Sequence, residues 1–129
     1  MLFRSYRYNN FNNQTDPNYP QNVSQGWRGL PADGIDAGFT LSVYTSYFFK
    51  GSKVYKYDNI NDQVASGYPK QITDDWPGIP SNIDSAFRWY YDGNTYFFKN
   101  EYYWEWNDSL HQAMGPYLIR DHWKNICNV

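Results

Sequence analysis

The sequence is poor in most of the features by which chemistry is recognised. Its 129 residues contain one cysteine, Cys127, and two histidines, His111 and His122. There is no H-E-x-x-H, which excludes the helical zinc site of a metalloprotease. There is no G-x-S-x-G, and Cys127 lacks a catalytic partner. No apolar run approaches the ~20 residues that cross a bilayer as a helix. The opening stretch MLFRSYRYNN lacks the apolar core of a signal peptide. If the parent protein is secreted, its leader has been removed or the sequence starts inside it. Block charge is missing too. The net charge of −2 comes from 11 basic and 13 acidic residues, intermixed. Neither a nucleic-acid stripe nor an acidic tail fits that distribution. Long Ala/Leu/Glu/Lys stretches are absent, which argues against a helical bundle.

What the chain has instead is aromatic residues. Eight Phe, 14 Tyr and 6 Trp make up 22% of it. Large flat side chains with polar tips favour strands, so the fold class is all-β or mostly β.

The aromatics recur. YFFKGSKVYKY at 47–57 returns as YFFKNEYYWEW at 96–106, a spacing of 49. GIDAGFTLS at 34–42 answers NIDSAFRWY at 82–90. A closing block appears three times: NYPQNVSQGWRGLP at 18–31, GYPKQITDDWPGIP at 67–80 and GPYLIRDHWKNIC at 115–127. Trp27, Trp76 and Trp123 mark it, 49 and 47 residues apart. The third copy reads Pro116-Tyr117 where the second reads Tyr68-Pro69, and its closing block is one residue shorter. The first copy retains only LFRSYRY at 2–8 of its hairpin, with a turn trimmed by about three residues.

Each repeat reads as a small sheet closed by a helix. Strands are expected at 35–39 and 83–89, followed by hairpins that turn at Gly51 and Asn100, the residue types that tolerate positive φ. A more polar fourth strand follows, as in DQVAS at 62–66. One or two helical turns come next, with Pro69 near the first helical position. They end at Trp76-Pro77. Such a repeat cannot bury its own faces alone. A radial array of four-stranded sheets of this length is a β-propeller.

These blocks, in this order and spacing, resemble the haemopexin-like repeat of haemopexin, vitronectin and the C-terminal domain of the matrix metalloproteinases. The resemblance covers essentially the whole chain. It implies a four-bladed propeller, here about two and a half blades. Residues 1–33 would be the outer part of one blade, 34–81 a complete blade and 82–129 the last. A chain of that extent is expected to be the C-terminal part of a longer protein, or a truncation that must pair with something.

The resemblance also implies sites. Asp36 and Asp84 lie on strands that would line the central channel. Backbone carbonyls there would hold calcium or sodium, with chloride deeper in. Alternatively, both aspartates are turn formers at strand ends. Cys127 would form a disulfide with a cysteine of the first blade, and this sequence contains no such partner; a free thiol is the other reading. Asn13, Asn22 and Asn107 open N-x-S/T triplets, which suits a secreted glycoprotein. Asp74-Asp75 reads as solvent exposure or turn formation, not as an acid–base pair. The function implied is a non-catalytic extracellular module, with no catalytic metal. It would dock to matrix proteins such as collagen, to inhibitors, or to itself through open blade edges. The parent would be a matrix metalloproteinase or a vitronectin-like adhesive protein. The alternative is a haem carrier that uses His111 and His122 as iron ligands.

Overall fold

The computed structural model describes residues 4–5 and 7–123. Its first portion pairs β1 (Arg4–Ser5) with β4 (Gln21–Asn22), and β2 (Tyr8–Asn9) with β3 (Gln14–Thr15). Helix α1 (Val23–Gly26) follows. The second portion is an antiparallel sheet of β5 (Ala37–Thr40), β6 (Thr45–Lys50), β7 (Lys53–Asp58) and an outer track of β8 (Gln63–Val64) and β9 (Lys70–Gln71), with α2 (Ile72–Asp75) after it. The third is β10 (Ser85–Arg88), β11 (Thr95–Lys99), β12 (Tyr102–Asn107) and β13 (Gln112–Leu118), then α3 (Ile119–His122).

The repeat is exact in register. Lys53 pairs with Gln71, and Asp58 with Gln63. Forty-nine residues earlier, Arg4 pairs with Asn22, and Asn9 with Gln14. Arg4–Ser5 and Tyr8–Asn9 therefore occupy one strand position, the third of a blade. They are not a hairpin with a trimmed turn. Both arms of the aromatic hairpin read alike in sequence, and only strand pairing separates them.

The third copy also aligns differently from its sequence reading. Tyr117 pairs with Tyr103 as Lys70 pairs with Val54. Pro116 thus matches Pro69, and both follow cis peptide bonds, as does Pro20. The shortening lies upstream of the proline, where β13 runs straight through instead of breaking. Pro69 does not start the helix. It precedes β9, and α2 begins at Ile72, where Gln71 and Asp74 form a capping box.

Turn chemistry follows expectation at the hairpins. Gly51 has φ +56° and Asn100 has φ +55°. The first strands begin two residues later than expected, at Ala37 and Ser85.

Neighbouring strand residues face opposite sides, and both sides of the second sheet are buried. Phe48 and Tyr57 meet Trp27, with ring centroids 5.2 and 5.1 Å away. On the other side, Trp76 sits between the second and third sheets. It lies 5.7 Å from Phe39, 5.1 Å from Tyr47, 5.3 Å from Phe97 and 4.7 Å from Trp106. Phe97 and Trp106 are the counterparts, 49 residues on, of Phe48 and Tyr57. Trp123 repeats the first half of this arrangement, against Phe87 and Tyr96. Trp76 is thus the wedge between the second sheet and the third, and Trp27 and Trp123 each show one half of the same arrangement. The edge-on geometries suit the aromatic quadrupole.

Candidate functional site

The inner strands β5 and β10 lie side by side. At their starts, Ile35, Asp36, Asn82, Ile83 and Asp84 line a polar cleft of ≈ 450 Å³. The structure brings both sequence-predicted aspartates to this place. Each carboxylate is committed to a hairpin turn. Asp36 Oδ2 accepts from the Gly51 amide at 2.8 Å, and Asp84 Oδ2 accepts from the Asn100 amide at 2.7 Å. Their amides donate to the Phe49 and Phe98 carbonyls, both at 2.8 Å. The turn-forming role is therefore present in both blades. Among the described residues, no three His, Cys, Asp or Glu side chains gather as a metal cage.

Both bonds are exposed to solvent, and a net hydrogen bond of this kind stabilises by about 1 kcal/mol. Asp84→Ala is expected to lower stability by that amount in a denaturant titration, and Asp36→Ala likewise. The double variant should depart from the sum of the two single losses, because both aspartates line one cleft and the Asn82 amide donates to the Gly51 carbonyl at 2.9 Å.

Four other aspartates are bound into the blades as well. Asp62 accepts the Tyr57 hydroxyl at 2.7 Å, and Asp92 accepts the Tyr96 hydroxyl at 2.5 Å. Asp75 accepts the Tyr68 hydroxyl and stands 3.9 Å from Lys70 Nζ. Lys70 also lies over the Tyr68 ring, 4.8 Å from its centroid. Burial pushes the phenol pKa of each of these three tyrosines up, and the adjoining carboxylate raises it further. Asp74 is spent on the Gln71 amide at 3.3 Å. The Asp74-Asp75 pair is structural in both members. Sequence reasoning missed these tyrosine–aspartate bonds. Their separations along the chain are four, five and seven residues, so no fixed spacing announces them.

The two histidines do not meet. His111 lies in the turn before β13, against Trp106 at 5.1 Å, with φ +51°. His122 ends α3, packed on Tyr103 and Tyr117. All seven residues of β13 separate them, on the order of 20 Å of strand. They cannot bind one iron from opposite sides within one chain.

Asn13 is exposed, with φ +51°, in the turn between β2 and β3. Asn22 is half-buried at the β4–α1 junction. Asn107, also half-buried, uses its Oδ1 to accept from the Leu110 amide at 2.9 Å. Cys127 lies outside the described residues.

The Hemopexin family model matches residues 35–81 and 83–126. The chain belongs to the Hemopexin family. Rabbit (Oryctolagus cuniculus) vitronectin is 41% identical over 59 residues, covering 40% of this chain and 12% of vitronectin. Matrix metalloproteinase-21 of Cynops pyrrhogaster is 45% identical over 49 residues, covering 36% of this chain and 8% of that protein. The chain therefore spans a small part of the length of these relatives. Among solved structures, a hemopexin fold protein from cow pea superposes with a TM-score of 0.72 at 19% identity, covering 98% of this chain and 68% of that one. A plant lectin with two metal binding sites from Cicer arietinum also reaches 0.72, at 23% identity, covering 90% of this chain and 58% of its own. At these identities the likeness is one of fold, and the fold is the propeller type of the hemopexin repeat.

Proposed function

We propose that this hemopexin-repeat chain is a non-catalytic protein-binding module of an extracellular protein. Its work is docking to matrix proteins or inhibitors. The observation that carries this reading is the family membership, together with the vitronectin and matrix metalloproteinase-21 relatives matched over the repeat. The disposition of polar groups supports it. The carboxylates at 36, 62, 74, 75, 84 and 92 are engaged within the blades, which leaves surface recognition as the main resource. A parent of the secreted matrix metalloproteinase or vitronectin type is in keeping with these relatives.

For the polar cleft at Asp36 and Asp84 we propose a hard cation, which backbone carbonyl oxygens would hold. Calcium or sodium would serve, with chloride as a counter-ion. The carboxylates hold their turns, so direct side-chain ligation would compete with the Gly51 and Asn100 amides. The ion would supply structural closure of the channel, not catalysis. Haem carriage is the weaker reading, since His111 and His122 stand at opposite ends of β13.

The test is binding of the purified chain to immobilised collagens, fibronectin and protease inhibitors, with and without calcium. Saturable binding without cleavage of the immobilised protein is expected. A haemin titration run alongside should give no Soret shift that depends on either histidine.

A further inference from the structure

Within each sheet, the turns after the first and third strands fall at the same end. In the second sheet they are bonded together: the Asn59 amide donates to the Tyr44 carbonyl at 2.9 Å. Across sheets, Leu41 of the second lines one cleft with Asp108 and His111 of the third. These turns therefore make up one face of the propeller.

That face is unusually apolar. Eleven large apolar side chains are exposed among the described residues. Three of them, Ile35, Tyr102 and Met114, lie elsewhere. The other eight all belong to these turns. A single exposed apolar residue is ordinary, but this concentration is not.

The repeat places them systematically. Each third strand ends in an Asn or Asp whose Oδ1 caps the turn and holds an apolar residue outward. Asn9 accepts from Phe11 at 2.9 Å, Asp58 from Ile60 at 2.9 Å, and Asn107 from Leu110 at 2.9 Å. Phe11 is 98% exposed, Ile60 67% and Leu110 58%. In the third sheet, Tyr90 and Tyr91 of the other turn are 93% and 87% exposed.

The charges at these turns are acidic in balance: Asp58, Asp62, Asp92 and Asp108 stand against Arg28 and Arg88, the latter at the end of β10, with His111 beside them. The Arg28 guanidinium is used on the Asn61 and Asp62 carbonyls, both at 3.2 Å.

We propose that this face is a docking surface for a protein partner that is itself apolar and cationic, such as an amphipathic segment of leucines and lysines. The proposal deepens the protein-binding reading above and takes from it only that the partner is a protein. Charge complementarity selects this occupant. Anionic lipid is attracted by clusters of Lys and Arg, and here aspartates predominate. A second copy would bring the same aspartates against these.

The test uses the chain produced without glycosylation, because Asn13 and Asn107 lie on the same turns. Fluorescence anisotropy is read with a labelled helical peptide of leucine and lysine, and with its leucine–glutamate counterpart. Binding to the lysine peptide is expected to exceed binding to the glutamate peptide at least tenfold. The triple variant Phe11→Ser/Ile60→Ser/Leu110→Ser and the double variant Tyr90→Ser/Tyr91→Ser should each lose at least tenfold in affinity. Both should keep the parent's melting temperature, and Tyr102→Ser should bind like the parent. Equal affinity for the two peptides, or unchanged affinity in the turn variants, overturns the proposal. So does turn-dependent pelleting with phosphatidylcholine vesicles, or a turn-dependent dimer in sedimentation. If collagen or fibronectin binds the parent and the turn variants equally well, this face is not the docking surface, while the protein-binding reading stands.

Discussion

Trp76→Ala is expected to cost about 3–5 kcal/mol of stability. Trp76 is 5% exposed and touches rings of both flanking sheets, from Phe39 and Tyr47 on one side to Phe97 and Trp106 on the other. Truncation removes the wedge, and the sheets cannot close over the gap without breaking their own pairing. Folded domains hold only about 5–15 kcal/mol in total, so this loss is a large part of what is available. The measurement is a urea titration monitored by circular dichroism. The midpoint should fall sharply with the slope retained, which is the sign of lost stability without a change of mechanism. Trp27→Ala is the comparison. Trp27 is half-buried and contacts Phe48 and Tyr57, so its loss should be distinctly smaller. Equal losses at both positions would mean that the wedge between the two complete sheets is not special.

Alkaline pH should unfold the protein well before backbone chemistry intervenes. Burial raises the phenol pKa values of Tyr57, Tyr68 and Tyr96, and each hydroxyl also donates to an aspartate. Burial raises those of Tyr47, Tyr55 and Tyr103 as well. The folded state therefore holds these protons more tightly than the unfolded chain, whose phenols ionise near about pH 10. The stabilisation is fully present below that value and is lost as pH rises above it. Denaturant titrations at about pH 8 and about pH 11 should show little change up to the unfolded phenol range and a steep decline beyond it. Tyrosinate absorbance should show the six tyrosines named above ionising only with unfolding. A single titration step for all tyrosines in a still-folded chain would contradict this.

Much of the fold was legible in the sequence because the repeat is written in residues with few alternatives. Gly51 and Asn100 mark turns that need positive φ, and the Trp-containing closing block marks each blade boundary. Family-level reading reached the same sheets. What escaped it has physical causes. YRY fits either arm of an aromatic hairpin, so strand pairing alone placed Arg4–Ser5 and Tyr8–Asn9. Pro116 could be set against Tyr68 or Pro69 by letter, and the register of Tyr117 with Tyr103 decided it. At the site, Asp36 and Asp84 were found, but their bonds to amides 15 and 16 residues away were not predictable from spacing. The exposed turns were hidden by their neighbours. Tyr90 and Tyr91 continue the run FRWYY, whose Phe87 lies in the sheet. Only the end of β10 at Arg88 shows that they leave it.

The central claim is that this hemopexin-repeat chain acts by binding other proteins. Its most direct test is equilibrium binding to a panel of immobilised collagens, fibronectin and protease inhibitors by surface plasmon resonance, with the eluted ligands checked for cleavage. The account predicts saturable binding to at least one member and intact ligands throughout. Absence of binding to every member, together with a histidine-dependent Soret shift on adding haemin, would contradict it.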